Sequence, residues 1–287
     1  ISVTACDRRS RADLGELAGE LEGAGAALQL GDGYLENLTQ DVIFRTPGLR
    51  PDVPQLREAV ARGSVLTSEM EEFFHVCPCP IIAVTGSDGK TTTTTIIAEL
   101  LRAAGKTVHV GGNIGHPLLC EAGEMAQTDW AVLELSSFQL MTMDVSPHIA
   151  VMTNLAPNHL DVHKDMAEYI AAKQNVYLHQ SRTGKLVVNM DNAITDGFAE
   201  SAPGTVEKFS RLGRPERGVW LNGDTIYRND TPIMNAADIR IPGVHNIENY
   251  MAAACAVEGL ATDADIDAVS RSPAWSTGSS LRANWTA

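Results

Sequence analysis

One stretch of this chain constrains its fold more than any other: Ile81-Ile-Ala-Val-Thr-Gly-Ser-Asp-Gly-Lys90-Thr91. An apolar run of strand length stops at a turn bounded by Gly86 and Gly89, then passes into Lys-Thr and a helical stretch, Thr91 to Ala104. Strand, tight loop and helix in that order make the first half of a parallel crossover unit, so the fold expected is α/β with a mostly parallel sheet. Such a turn aims backbone N–H groups inward, and the helix start adds positive potential, which together suit a phosphate. Lys90 is placed to reach β- and γ-phosphates and the Thr91 hydroxyl to ligate Mg²⁺, with Gly86, Ser87, Asp88, Gly89 and Thr92 completing the cradle. The strict phosphate-loop pattern would need a glycine at Val84, so this is a shorter form, T-G-x-x-G-K-T. The run Thr91 to Thr95 is β-branched and poor for a helix, so packing and ligand must hold that first turn.

The same alternation extends both ways. Ile1 to Ala5 reads as a strand, Ser10 opens a helical stretch with Leu14, Leu17, Ala18 and Leu21 on one face, and the short apolar runs Leu28 to Leu30, Asp41 to Thr46 and Ser64 to Thr67 follow, with Pro51 to Ala61 helical between the last two. Cys77-Pro-Cys-Pro80 then interrupts the chain, because two prolines in four residues cannot continue a helix. We therefore divide it into a first domain over 1–76, a central domain over 77–269 and an irregular tail over 270–287, where neither periodicity is present. Within the central domain, Thr107 to Gly111, Trp130 to Leu135, His148 to Thr153 and Lys185 to Asn189 read as strands, and Lys164 to Gln180 and His245 to Leu260 as helices. Thr205 to Ile241 is turn-rich and reads as a small antiparallel patch.

Charge and cysteine usage narrow the function. A net charge of -14 leaves no clustered basic face for a nucleic acid, so an anionic substrate must be met by loop amides and a few placed cations. No apolar run is long enough to span a bilayer. The five cysteines, Cys6, Cys77, Cys79, Cys120 and Cys255, are odd in number and scattered, as reduced thiols in a cytoplasm would be. Cys77-Pro-Cys79 has one spacer where zinc knuckles usually have two, and reads as structural or incidental.

Further along stand Gly111-Gly-Asn-Ile-Gly115, Glu134-Leu-Ser-Ser-Phe-Gln-Leu140, Asn154-Leu-Ala-Pro-Asn-His-Leu-Asp161, Ala171-Ala-Lys173 and Gly243-Val-His-Asn246-Ile-Glu-Asn249. Glu134 closes an apolar strand, where α/β sheets bind ligands, and is a hard oxygen donor suited to Mg²⁺. His159 follows a strand and is a possible imidazole ligand, although a loop histidine is more often plain surface; His163, four residues on, is read as surface. Lys173 lies mid-helix between Tyr169 and Tyr177, where most lysines are solvated. Asn113, Ser136, Gln139, Asn246 and Asn249 are either ligand contacts or capping and turn residues.

With Thr85-Gly-Ser-Asp-Gly-Lys-Thr91, these motifs in this order resemble the Mur ligases, which build the peptidoglycan stem peptide. The likeness covers roughly residues 1–265, and the Glu134 heptad resembles the branch that adds D-glutamate to UDP-N-acetylmuramoyl-L-alanine. The resemblance implies an ATP-dependent amide ligase working through an acyl phosphate, monomeric and cytoplasmic, with two Mg²⁺ sites. It implies that Glu134, His159 and a carbamoylated Lys173 hold one metal and Thr91 faces the other, while Asn246 and Asn249 meet adenine. Asn113, Ser136 and Gln139 would contact the muramoyl peptide or phosphates. Asp7, Arg8, Arg9 and the loop Thr46-Pro47-Gly48 would meet the uridine diphosphate end in a Rossmann-like first domain. Asn158 stands where the family usually has Asp. Against the family's pattern, the first strand and the C-terminal domain are missing, so no ligase turnover is expected from these residues alone. The alternatives are another amide ligase of the superfamily, including a folate-extending one, a phosphate-loop switch ATPase, or a non-catalytic nucleotide-binding remnant.

Overall fold

The computed structural model describes residues 1–157 and 162–272. They form two compact units, 1–68 and the chain from Glu69 onward. The first holds β1 (Thr4–Asp7), α1 (Arg11–Leu14), α2 (Glu16–Gly23), β2 (Ala27–Leu30), β3 (Val42–Phe44), α3 (Pro54–Ala61) and β4 (Val65–Thr67). Its strands pair in parallel as β1–β2 and β3–β4, around a small core of Leu38, Leu56 and Ala59. Local signals set its helices: Ser10 and Asp13 make a reciprocal capping box at α1, and Pro54 opens α3 where its missing N–H goes unneeded.

The second unit opens with α4 (Glu69–Val76), whose Met70 and Phe73 join that unit's core, so the unit begins ahead of the Cys-Pro-Cys-Pro break. There follow β5 (Ile81–Thr85), α5 (Lys90–Ala103), β6 (Val108–Gly112), β7 (Trp130–Glu134), α6 (Ser137–Leu140), β8 (Ile149–Met152), α7 (Met166–Leu178) and β9 (Lys185–Asn189). The chain continues with α8 (Ala193–Gly197), β10 (Thr205–Ser210), β11 (Gly218–Asn222), β12 (Thr225–Arg228), β13 (Thr231–Asn235), α9 (Val244–Ala256) and α10 (Asp263–Ser270). One nine-stranded sheet runs in the order β13-β12-β11-β10-β9-β8-β5-β7-β6.

Core packing explains the unbroken apolar strands. Ile82 and Val84 of β5 enter one core layer with α5 and α9, whereas Ile81 and Ala83 enter the other with α4 and α7. β8 divides the same way, Ile149 and Val151 against Ala150 and Met152. A strand covered on both faces has no polar side to show, as parallel sheets with helices on each face require. From β5 the connections run to β6 and β7 on one side and then to β8 on the other, so the crevice beyond the end of β5 is a switch point, where such sheets bind ligands.

Two readings of the sequence need correction. The stretch from Thr205 is not wholly antiparallel: β10 pairs in parallel with both β9 and β11, and only β11–β12–β13 is antiparallel. The helical connection between β9 and β10 returns the chain in the same direction, which a hairpin could not do. The pattern also continues past Leu260, because Thr262 and Asp265 cap a further helix, α10, that buries Ile266 and Val269. No helix among the described residues is long and apolar enough to cross a membrane.

Candidate active site

The loop between β5 and α5 is held by the chain around it. Ser87 N–H donates to the Asn154 carbonyl at 3.0 Å, and Asp88 N–H to Asn154 Oδ1 at 3.0 Å. Thr153 Oγ1 donates to the Asp88 carbonyl at 2.6 Å, so the segment leaving β8 clamps the turn from both sides. Ser87 Oγ reaches the Ala156 carbonyl at 2.9 Å and shares a hydrogen bond with the Tyr169 hydroxyl at 3.1 Å. Gly86 is required here, because its φ is +148° and a Cβ would stand 1.9 Å from Thr153 Oγ1. The first amides of α5 have no preceding turn to bond, which leaves them for an anion.

Two lysines converge on this loop. Lys90 Nζ donates to the carbonyls of Gly86 at 3.1 Å and Ser87 at 2.9 Å. Lys173 Nζ, reaching up from α7, donates to the same Gly86 carbonyl at 2.9 Å and to Thr85 Oγ1 at 3.0 Å, with the Tyr169 ring 5.0 Å beneath it. Lys173 is only 2% exposed. Burial first, then the charge of Lys90, pushes its amine down to about 7 against the pull of Glu134.

Glu134 sits at the end of β7, likewise 2% exposed. Its Oε2 accepts from Thr91 Oγ1 at 2.6 Å and its Oε1 from Asn113 Nδ2 at 3.0 Å. Asn113 N–H also donates to the Glu134 carbonyl at 2.8 Å, and Gly112, with φ of +95°, permits that approach, since a Cβ there would meet the same carbonyl oxygen at 2.2 Å. A carboxylate, a hydroxyl and an amide oxygen are hard donors, so Thr91, Glu134 and Asn113 fit Mg²⁺ by their chemistry. Lys173 as an ammonium does not; it becomes an oxygen ligand only when carbamoylated. His159, the other expected ligand, lies outside the described residues, as does Asn158.

The remaining expected site residues have partners inside the protein. Ser136 and Gln139 make a reciprocal capping box at α6, with Gln139 N–H donating to Ser136 Oγ at 3.2 Å and Ser136 N–H to Gln139 Oε1 at 2.9 Å. Asn249 accepts from Thr93 Oγ1 at 3.2 Å and donates to Asn246 Oδ1 at 3.0 Å, and Asn246 donates to the Pro242 carbonyl at 2.7 Å. These two asparagines thus sit against the first turns of α5. Thr92, in the first turn of that helix, is half-buried, and Thr91 before it is exposed.

In the first unit, Arg9 forms an exposed pair with Asp7 at 2.9 Å that holds the Asp7 carboxyl down at about 2; Arg8 beside them is exposed. Arg45, which the sequence did not single out, is buried and donates to the carbonyls of Thr46 at 3.2 Å, Pro47 at 3.2 Å and Leu49 at 2.7 Å, ordering the loop that carries Gly48.

His163 is not surface, as the sequence suggested, but 2% exposed. It shares a hydrogen bond with Ser137 Oγ at 2.9 Å, stacks on Phe138 with centroids 5.4 Å apart, and meets the edge of Tyr169 at 5.2 Å. It thereby ties the start of α6 to the start of α7. Asn154, Thr153 and Tyr169 were also missed as loop partners. Asn154 did stand at the head of a quoted motif, the only signal available for it.

Comparison with known proteins identifies the family. Residues 84–257 match the family model described as the Mur ligase middle domain. Proteins named UDP-N-acetylmuramoylalanine--D-glutamate ligase are 51% identical over 261 residues in Ruminiclostridium cellulolyticum and 50% identical over 260 residues in Acetivibrio thermocellus. Each alignment covers 89% of this chain and 56% of the relative, so the chain spans little more than half the length of these proteins. Among solved structures, the UDP-N-acetylmuramate:L-alanyl-gamma-D-glutamyl-meso-diaminopimelate ligase of Neisseria meningitides superposes with a TM-score of 0.60 at 17% identity, covering 96% of this chain and 90% of that one. That likeness shows the shared fold. On the match across the whole phosphate-loop region, the chain belongs to the Mur ligase family.

Proposed function

We propose that this chain carries the nucleotide-binding and carboxylate-activating part of an ATP-dependent ligase that joins D-glutamate to UDP-N-acetylmuramoyl-L-alanine. The observation that carries the reading is the convergence of Lys90 and Lys173 on one loop carbonyl beside the Glu134–Thr91 pair. The choice of amino acid rests on relatives of that name at about half identity over most of this chain.

The unit from Glu69 onward holds the nucleotide and residues 1–68 the uridine diphosphate end of the acceptor, through Asp7, Arg8, Arg9 and the loop Thr46-Pro47-Gly48. Lys90 turns its ammonium from the loop carbonyls to the β- and γ-phosphates, and the first-turn amides of α5 share that charge. Asn113 stands on the loop beyond β6, and Ser136 and Gln139 at the cap and first turn of α6 beyond β7, where the acceptor carboxylate is to be positioned. Glu134, His159 and carbamoylated Lys173 would hold one Mg²⁺ and Thr91 would face a second at the nucleotide, and these ions would supply neutralisation of the charge gathered on phosphate and acyl oxygens. An amine near 7 is partly neutral at physiological pH, the form that adds to CO₂ with loss of a proton. A nucleotide-linked acceptor and ATP together place the reaction in the cytoplasm.

The test is a chimaera carrying residues 84–257 of this chain within the Ruminiclostridium cellulolyticum ligase. It is expected to form product from UDP-N-acetylmuramoyl-L-alanine, D-glutamate and ATP, and to lose that activity with Lys173→Ala. A folded chimaera that binds ATP but prefers another amino acid, or turns over unchanged without Lys173, overturns the reading.

A further inference from the structure

The Cys77-Pro-Cys79 segment lies at the opposite end of β5 from the phosphate loop and takes no part in the chemistry above. Its two sulfurs are in contact, with Sγ to Sγ at 3.5 Å, and Cys77 Sγ also lies 3.5 Å from the Cys79 carbonyl. Pro78 fixes its own φ, which limits the conformations of the one residue between the thiols. They differ in access: Cys77 is half-buried, whereas Cys79 packs into the core beside Ile81, Ala83 and Ala131. No other cysteine shares a contact with them among the described residues; Cys6 and Cys120 are exposed, and Cys255 is buried against the Lys208 carbonyl. Among the described residues no cluster of three His, Cys, Asp or Glu side chains that could hold a metal includes this pair.

We propose that Cys77 and Cys79 form a reversible dithiol–disulfide modification site, oxidised by peroxides. The accessible Cys77 sulfur displaces one oxygen of hydrogen peroxide, giving a sulfenic acid and water. The Cys79 sulfur then attacks the Cys77 sulfur, the S–O bond breaks, and the hydroxyl leaves as water with the Cys79 proton. Two electrons pass from the thiols to the peroxide, which ends as two waters. Burial, together with Cys77 and the nearby Asp129, holds the Cys79 thiol up at about 12, so it stays protonated and does not meet the oxidant first; its contact with Cys77 is what places it to resolve the sulfenic acid. Closure draws the sulfurs from contact to about 2.05 Å. A ring spanning a single intervening residue is a strained one, and strained disulfides are the readily reduced kind. The bond would brace the turn through which the chain leaves α4 and enters the strand that carries the phosphate loop.

The experiment treats the folded chain with hydrogen peroxide, blocks free thiols, digests with trypsin and weighs the peptide running from Gly63 to Lys90, which holds both cysteines. The expected result is a peptide lighter by a pair of hydrogens, unblocked, and restored by dithiothreitol. Cys79→Ser is expected to leave Cys77 as a sulfenic acid that dimedone captures, and Cys77→Ser to leave Cys79 reduced until the chain is unfolded. If both thiols of the wild-type peptide remain free at a peroxide dose that oxidises the exposed Cys6 and Cys120, the proposal is wrong. It is equally wrong if the only disulfides found join separate chains. Neither outcome depends on the ligase reading.

Discussion

Replacing Lys173 with methionine separates the cost of this buried amine from its use. An ordinary lysine loses its proton near 10.5 and this one near 7. At about 1.4 kcal/mol per tenfold change in the equilibrium, that gap sets a ceiling of about 5 kcal/mol on what burying the charge costs the fold. Between pH 7 and 10.5 the unfolded chain binds a proton at Lys173 that the folded chain does not, so wild-type stability climbs with pH across that window. Below pH 7 the full penalty is carried. Methionine fills similar space without charge but gives up the hydrogen bonds to Thr85 Oγ1 and the Gly86 carbonyl. Neither group is then stranded, because Gly86 keeps Lys90 and Thr85 Oγ1 donates to the Leu135 carbonyl at 2.7 Å, so the loss is about 1 kcal/mol for each. Lys173→Met should therefore be more stable than wild type by about 3 kcal/mol at pH 6, and less stable by about 2 kcal/mol near pH 10.5. Urea unfolding in CO₂-free buffer, followed by tryptophan fluorescence, measures it, since none of the four tryptophans lies within residues 1–68. A difference between the two proteins that does not change with pH, or a variant less stable at pH 6, would refute the reasoning.

Lys90→Ala should weaken ATP binding by about 10- to 100-fold, the worth of a charge-assisted hydrogen bond to phosphate, with calorimetry as the readout and unchanged affinity as the contrary result. Asn154→Ala removes both side-chain contacts to Asp88 and should lower nucleotide affinity about tenfold, about the worth of one net hydrogen bond, with little change in the unfolding midpoint. Asn154→Asp, which accepts from Asp88 N–H but cannot donate to its carbonyl, should recover only part of that loss. Burial and the neighbouring Glu258 raise the Glu207 carboxyl to about 7 from 4.5, so its contribution is present below 4.5 and lost as pH rises through 7. Glu207→Gln should accordingly gain stability relative to wild type between pH 4.5 and 7, by about 1–3 kcal/mol once Lys185 and Arg217 are set against the burial; parallel pH profiles would contradict this.

Elements whose cause is local were legible in the sequence. The helix start at Ser10 and the unbroken apolar strands β5, β7 and β8 carry their signal within a few residues. The pairing of β10 was not legible, since nothing in Thr205–Ser210 records that a short helical connection brings it back parallel to β9. The threonine run in α5 shows the opposite balance. Thr93, Thr94 and Thr95 are buried, Thr95 Oγ1 donates back to the Thr91 carbonyl at 2.7 Å, and Thr93 bonds Asn249, so tertiary contacts overrule a poor local preference.

The site divides along the same line. The loop from Gly86 to Thr91 announces itself because phosphate binding demands glycine, lysine and hydroxyl at fixed offsets along the chain. What holds that loop carries no such offset: Asn154 and Tyr169 arrive from sequence distances of 66 and 82 residues, and only folding brings them to Asp88 and Ser87. Ser136 and Gln139 show how one spacing can carry two readings. Their spacing suits a capping box and a ligand contact equally, and in the fold each already satisfies the other. Lys173 was legible as a lysine between two tyrosines, and a role for it came only through the resemblance. Seated at the Gly86 carbonyl beside Lys90, its charge meets both burial and a like charge, and a group held near neutrality there has reactivity that a solvated helix lysine lacks.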